Sequence, residues 1–409
     1  MTAHPLPDSS SLRALLVPVY LPSLLFATGQ GAIVPVLALA ARDLGASAGQ
    51  AGLVVAANGL GTVAFDISAG SLVAAVGEQG ASTLAAIMVI SGLLIAMLNA
   101  SLLLLGIGIF LSSCGWAVWV LVRLTHLSRV APAATRGRTL SVLGGVMRAG
   151  AVLGPFLLLA LATSRPARSA FLIYLVCAVV GFGLLRRARD PYDSQGRQRA
   201  QEKSHPLRIV GEHRREFATA GVGAFTICML RASRQVVVPL WGAHLGLSVA
   251  SITAIFALSS AVDLALFYPA GVISDRFGRS AAALPCLALL ACGHLVLPLT
   301  HGFGALMTVA IVLGVGNGMG SGIVMTLGAD RSPSTGRAPF LAVWRLFCDA
   351  GSACGPLLCA AAASVLTLGA AGPVLGLAGL VGTFVVVLFM RDSRPSMGAP
   401  HVGWPAHGG

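Results

Sequence analysis

Three observations predict an all-α integral membrane protein with twelve transmembrane helices in two pseudo-symmetric six-helix bundles. First, of 409 residues 56% are hydrophobic and only 10% charged, too few charges to coat a soluble globule. Second, the apolar residues fall into stretches of roughly 20, the helical length that spans about 30 Å of hydrocarbon. Third, the same landmarks return at a constant spacing of 201 residues. Gly70 and Gly77 return as Gly271 and Gly278, Gly115 as Gly316, and Arg136 as Arg337. Gly150, Gly154 and Pro155 return as Gly351, Gly355 and Pro356, and Leu44-Gly45 as Leu245-Gly246. A three-residue slip upstream of this last match pairs Pro35 with Pro239. Two homologous halves in a chain this apolar imply a pseudo-two-fold machine that works by moving one half against the other.

The predicted spans, numbered 1–12 in chain order, are 14–40, 49–72, 81–99, 102–124, 139–162, 169–186, 217–243, 248–270, 281–300, 303–328, 338–363 and 371–390. Span 1 carries Pro18, Pro22 and several polar residues with no small-residue cleavage site after it, so it reads as a retained membrane helix. The resulting units are an N-terminal bundle (1–186), a cytoplasmic linker (187–216), a C-terminal bundle (217–390) and a cytoplasmic tail (391–409). The linker is the one long polar segment, with mixed charge and room for a short surface helix.

Of 27 basic residues, 20 lie on one side if both termini are cytoplasmic, from Arg13 through the Arg186–Arg215 cluster to Arg394. Only Arg42, Arg165 and Arg168 fall on the other side. Short loops rich in Lys and Arg stay cytoplasmic, and this sets the orientation. The net charge of +13 is then the positive-inside bias plus affinity for anionic lipid, and requires no nucleic-acid partner. The eight cysteines fall inside spans without metal-ligand spacing and read as structural thiols. No metal site or cofactor is expected, and no HExxH, serine elbow, P-loop or catalytic domain argues for an enzyme or an ATP-driven pump. The excess of Ala, Gly and Arg over Lys points to a bacterial inner membrane.

The loop after span 8 reads GVISDRFGRS, Gly271 to Ser280. Gly271 and Gly278 allow a tight turn, Asp275 complements a helix end, and Arg276 and Arg279 pair with carboxylates or lipid phosphate. This segment resembles the cytoplasmic loop signature of the major facilitator superfamily, and the six-plus-six helix count and central linker agree. The matching first-half loop departs from the pattern: Ala74 and Ala75 replace the acid–base pair and Glu78 replaces the Arg, leaving Asp66 as a substitute acid. Gly150-x-x-x-Gly154-Pro155 in span 5 resembles the signature of exporters that exchange substrate for protons, the drug:proton antiporter branch. Generic small-residue packing is the alternative. Leu158 and Leu159 stand where the full pattern has Gly-Gly, Leu111 stands where a span-4 Arg is expected, and span 1 has no acid.

Ionisable residues inside the bilayer are expensive and are functional candidates by default. The resemblance brings spans 5 and 8 face to face, and likewise 2 and 11. Arg148 and Asp263 lie at similar depth, which predicts an ion pair between the halves in the outward-facing state. Arg345 is within reach of Asp66 on span 2, or of Asp349 one turn along its own helix. Protonating a carboxylate releases its Arg partner, so Asp263 and Asp349 are the coupling candidates, with static packing pairs as the alternative. The resemblance lines a central cavity with spans 1, 4, 7 and 10, and so with Gln30, Trp116, Trp119, Arg231, Arg234, Gln235 and Asn317. Arg231 and Arg234 share a helix face, as do the two tryptophans, whose rings suit a flat or amphipathic substrate. No acid lies in those spans, which favours a neutral, zwitterionic or anionic molecule over a cation. His294 in span 9 reads as a buried, hydrogen-bonded histidine. The expected partners are thus a small-molecule substrate, protons and membrane lipid, acting on a monomer. Two transport readings stand: proton-coupled export, or ion-coupled uptake of an anionic metabolite. A transporter-like sensor without flux is the remote third.

Overall fold

The computed structural model describes residues 15–98, 100–130, 136–161, 165–187, 206–320, 322–333 and 337–389. Arg13, most of the expected linker and the expected tail lie outside these residues. The described chain is helical, and eleven of its helical segments are long and apolar enough to cross a membrane. Span 7, Val222–His244, falls short of that hydropathy because Arg231, Arg234, Gln235 and His244 interrupt it. It is nonetheless a helix of membrane length, 23 residues.

The internal repeat extends to the ends of the elements. Span 1 opens with a π-helical turn, Leu16–Tyr20, followed by Leu21–Asp43; span 7 opens with a π-helical turn, Phe217–Gly221, followed by Val222–His244. Each boundary is displaced by the same 201 residues. The slip that paired Pro35 with Pro239 therefore has no structural counterpart, because the two helices have equal length and register and their prolines occupy different turns. The next helix in each half is capped by an equivalent serine: Ser47 accepts from the Gln50 amide in a capping box, and Ser248 accepts from the Ser251 amide. Gly45 and Gly246 end their helices at φ 83° and 73°, and Gly77 and Gly278 break theirs at 74° and 90°. Those values lie in the left-handed region that glycine enters without a Cβ penalty, which is why these four positions return as glycine.

Two elements differ from expectation. Spans 2 and 3 run on as Ala48–Met97, interrupted only at Gly77. Span 10 is split into Phe303–Met319 and Ile323–Arg331 around Gly322, which is left-handed at φ 81°. A broken helix exposes backbone polar groups, a state tolerated at membrane depth only inside protein or beside a polar cavity. The remaining spans are Leu102–Val130, Arg136–Ala160, Pro166–Arg187, Val249–Phe277, Ser280–Leu299, Arg337–Val365 and Leu368–Phe389. A short helix, Pro206–Glu212, falls within the expected linker and is closed by an Arg208 Nε to Glu212 Oε1 bond of 2.8 Å.

Lipid tails are as apolar as leucine, so helices associate through close approach of small residues. Gly150 and Gly154 of span 5 pack on the span 1 backbone: a Cβ on Gly150 would lie 2.5 Å from Leu24 O, and one on Gly154 would strike Ala32 N and Thr28 O. Gly351 and Gly355 of span 11 repeat this on span 7, against Phe225 O and Met229 O. The halves meet mainly where span 2 crosses span 11 and span 5 crosses span 8, with span 1 also touching span 7. The end of the molecule at which spans 1 and 7 begin is called the terminal end here. At the far end, Gly49, Gly52 and Gly59 of span 2 abut Ser364, Ala360 and Ala353 of span 11, with would-be Cβ distances of 2.7–2.9 Å. Toward the terminal end the packing slackens: a Cβ on Gly144, Gly145 or Gly271 would meet nothing within 4 Å.

Candidate functional site: a central charged cavity between the halves

A cavity of about 280 Å³ lies between the halves, near the midpoints of spans 1, 5, 7, 8 and 10. Its wall comprises Gly31 and Val34 from span 1, Arg148, Ala151, Val152 and Pro155 from span 5, and Arg231, Arg234 and Gln235 from span 7. Phe256, Ser260, Asp263 and Leu264 from span 8 and Asn317 from span 10 complete it. A second, much smaller pocket holds Gln30, Asn58 and Ser113 and shares Gln235 with the first. Small residues create the space: Gly31 and the Gly150–Pro155 element let spans 1 and 5 approach closely and leave their polar neighbours room to project.

Arg148 and Asp263 meet across the halves, Nη1 to Oδ1 at 3.1 Å, with 26% and 15% of the side chains exposed. The other carboxylate oxygen accepts from Asn317 Nδ2 at 2.6 Å, at the turn just before the break in span 10. The Arg148 guanidinium also lies 4.9 Å from the ring centre of Phe267, one turn beyond Asp263. The depth matching that predicted the pair locates it well. The pair is made here while the far-end seam of spans 2 and 11 is closed as well.

Arg231 donates through Nη2 to the Asn317 carbonyl at 2.7 Å, tying span 7 to the last turn before the span 10 break. Arg234 donates through Nη1 to Ser259 Oγ at 3.1 Å and is 9% exposed. The Nε atoms of both arginines are buried without a hydrogen-bond partner. Gln30 donates to Asn58 Oδ1 at 3.3 Å, and Ser113 donates to the same oxygen at 2.6 Å.

A second inter-half network lies off the cavity, toward the terminal end. Arg345 Nη2 is 3.2 Å from Asp66 Oδ1, and its Nε is 3.5 Å from Asp349 Oδ2. The two alternatives that the sequence left open are therefore both realised. Asp66, the expected stand-in for the lost loop acid, is built into this network from inside span 2. At the first-half loop itself, Glu78 meets His126 at 2.9 Å, and Arg123 bonds Ser82 Oγ at 2.6 Å and Pro18 O at 3.2 Å. At the second-half loop, Arg279 bonds Asp330 at 2.9 Å, Asp275 at 2.6 Å and Ser274 at 3.1 Å, while Arg276 is exposed. The bonds to Asp330 and then Asp275 push the Arg279 guanidinium above its ordinary pKa, so this loop stays charged.

The tryptophans are the clear correction. Neither Trp116 nor Trp119 borders the cavity. Trp119 is 1% exposed, stacked on Phe26 at 4.0 Å and 12°, with the Arg123 guanidinium 4.9 Å from its ring centre. Its large apolar surface is spent joining spans 1 and 4. Trp116 is half-buried against the core. His294 is fully buried, with Ser233 Oγ 2.9 Å from Nε2 and Leu290 O 2.7 Å from Nδ1. Sequence reasoning missed Asn58, Ser113, Ser259 and Ser260. Each is a polar side chain at mid-span in an apolar helix, the signal that would have found it.

Fold comparisons agree with this geometry. The family model described as Major Facilitator Superfamily matches residues 19–230 and again 220–405, one match to each half. No curated protein sequence matches. Among solved structures, a POT family transporter in complex with 5-aminolevulinic acid superposes with a TM-score of 0.77 at 14% identity, covering 92% of this chain and 96% of that one. A POT family transporter in complex with a thioalcohol-conjugated peptide gives 0.76, with the same identity and coverage. The human organic anion transporter MFSD10 (TETRAN) gives 0.63 at 14% identity, over 91% of this chain and 99% of that one. At such identities the likeness is one of fold, and none of these three structures is described as a drug:proton antiporter. With its two halves each matched by the family model, the chain belongs to the Major Facilitator Superfamily, and is a non-enzymatic, multi-pass membrane transporter.

Proposed function

We propose that this protein is a proton-coupled secondary transporter of a small organic molecule, acting as a monomer by rocking the bundles 1–186 and 217–390 about the central cavity. Its terminal end is cytoplasmic on the positive-inside rule, with 187–216 as linker and 391–409 as tail. The observation that carries this reading is the Arg148–Asp263 bond, a titratable ion pair joining the two halves on the wall of the cavity. Protonation of Asp263 removes the charge that holds Arg148 and loosens the halves, which links proton binding to rocking. Proteoliposome flux under an imposed pH gradient tests it. Asp263→Asn abolishes proton-driven accumulation but preserves substrate exchange; full proton-driven accumulation by that variant would refute the assignment.

Direction has two readings. Export in exchange for protons is supported by the resemblance of Gly150–Pro155 to an exporter signature. The same element recurs at Gly351–Pro356 and packs on the equivalent positions of span 7, which weakens it as a mark of direction. Uptake of an anion with a co-transported proton is supported by a cavity wall carrying three arginines and one aspartate.

A further inference from the structure

We propose that the cavity holds an anionic group of the transported molecule between Arg231 and Arg234, and that Arg148 joins it when Asp263 takes up a proton. Anion and proton then occupy the site together. This rests on the transport reading above and specifies its substrate class and the sign of its coupling.

The charge of the wall comes first. Arg148, Arg231 and Arg234 face one another around a single carboxylate, so two positive charges remain in excess when every group is ionised. The other inter-half network carries two acids to one arginine, but none of its members lines the cavity. The donors come second. Arg231 and Arg234 each bond a neutral oxygen of their own half, Asn317 O and Ser259 Oγ, while their buried Nε atoms bond nothing. A guanidinium offers five N–H donors in a planar fork suited to a carboxylate or phosphate, and unmade donors on a buried charge are costly. Both residues sit on one face of span 7, three apart, so one anionic group can reach both.

The sign of coupling follows from which partner the substrate replaces. A cation would compete with Arg148 for Asp263, so proton and substrate would exclude each other and exchange. An anion competes with Asp263 for Arg148, so a proton on Asp263 helps the anion bind and the two travel together. Among the described residues, Asp263 has around it Arg148 from span 5, Arg231 and Arg234 from span 7, and Cys286 from span 9. Span 1 contributes Gly31 and Val34, which carry no charge.

Binding of benzoate, succinate and tetraethylammonium to the full-length protein in detergent, measured from pH 5.5 to 8.5, tests this. A carboxylate is expected to bind and the cation not to. The carboxylate's apparent Kd rises with pH, by up to about tenfold per unit. It is flat with pH in Asp263→Asn, and at least about tenfold weaker in Arg231→Gln and Arg234→Gln than in wild type. The wild-type comparison stands even if a variant fails to fold. Absence of binding by both carboxylates, or carboxylate binding that tightens as pH rises, would overturn the proposal. Proton-driven flux of tetraethylammonium, lost in Asp263→Asn, would sink this inference yet leave the transport reading intact. Carboxylate binding with the stated pH slope but no proton-driven flux would do the reverse.

Discussion

The crossing of spans 5 and 8 and the crossing of spans 11 and 2 are the same place in two copies of one ancestral half, yet they are chemically inverted. Arg148 corresponds to Asp349 and Phe267 to Asp66 across the 201-residue repeat. At the first crossing one arginine meets one acid on the cavity wall, and its guanidinium lies over an aromatic ring. At the second, one arginine is shared by two acids away from the cavity. The first pair lines the cavity; the second carries a spare acid and lies off it. Pseudo-symmetry supplies two equivalent struts and charge divergence sets them apart: on the function proposed above, one is the switch and the other a brace.

The strongest way to break this contrast is Arg345→Met. It leaves Asp66 and Asp349 facing each other without a counter-ion, and removal of one partner from a buried ionic cluster costs about 3–5 kcal/mol. A large fall in melting temperature in detergent is expected. The parallel Arg148→Met should fall by less, because Asp263 keeps Asn317 as a hydrogen-bond partner and Arg231 and Arg234 nearby. Equal losses would erase the distinction between brace and switch. Next in size is Gly59→Val. Its Cβ would lie 2.7 Å from Ala353 Cα, backbone that cannot yield, and overpacking costs about 1–3 kcal/mol. The far-end seam should spring open, seen as faster labelling by a membrane-impermeant thiol reagent of Ala360→Cys, a position only 3% exposed while the seam is closed. Unchanged labelling would mean that the seam is not the contact holding that end closed. Smallest is Asp349→Asn, which removes the longer, 3.5 Å arm while Asp66 still holds Arg345 at 3.2 Å. A change within about 1 kcal/mol is expected by thermal unfolding, since a partly exposed arm of this length contributes little.

The fold was legible because a bilayer leaves few solutions: long apolar helices, small-residue contacts and basic loops are all written in local sequence. The repeat went further, marking Gly45 and Gly246 as equivalent before their backbones were known to share a left-handed conformation. Depth matching also worked for Arg148 and Asp263, since rise per residue converts sequence position into height. Rotation about the helix axis was less legible. Trp119 was given to the cavity but turns toward Phe26, because which face of an apolar helix meets a neighbour depends on partners distant in sequence. The break at Gly322 was hidden for a related reason: a glycine run in a membrane helix reads equally as close packing or as an interruption, and only the neighbouring helices decide.

The far-end seam of Gly49, Gly52 and Gly59 against Ser364, Ala360 and Ala353 contains no ionisable side chain. Among the described residues no ion pair joins these positions, so the contact between them is one of shape. On the function proposed above, salt and acidity then act on the cavity and terminal-end networks, whereas the far-end seam answers to temperature and to the lateral pressure of the surrounding lipid. A change in bilayer composition would alter how often that end opens without altering what drives transport.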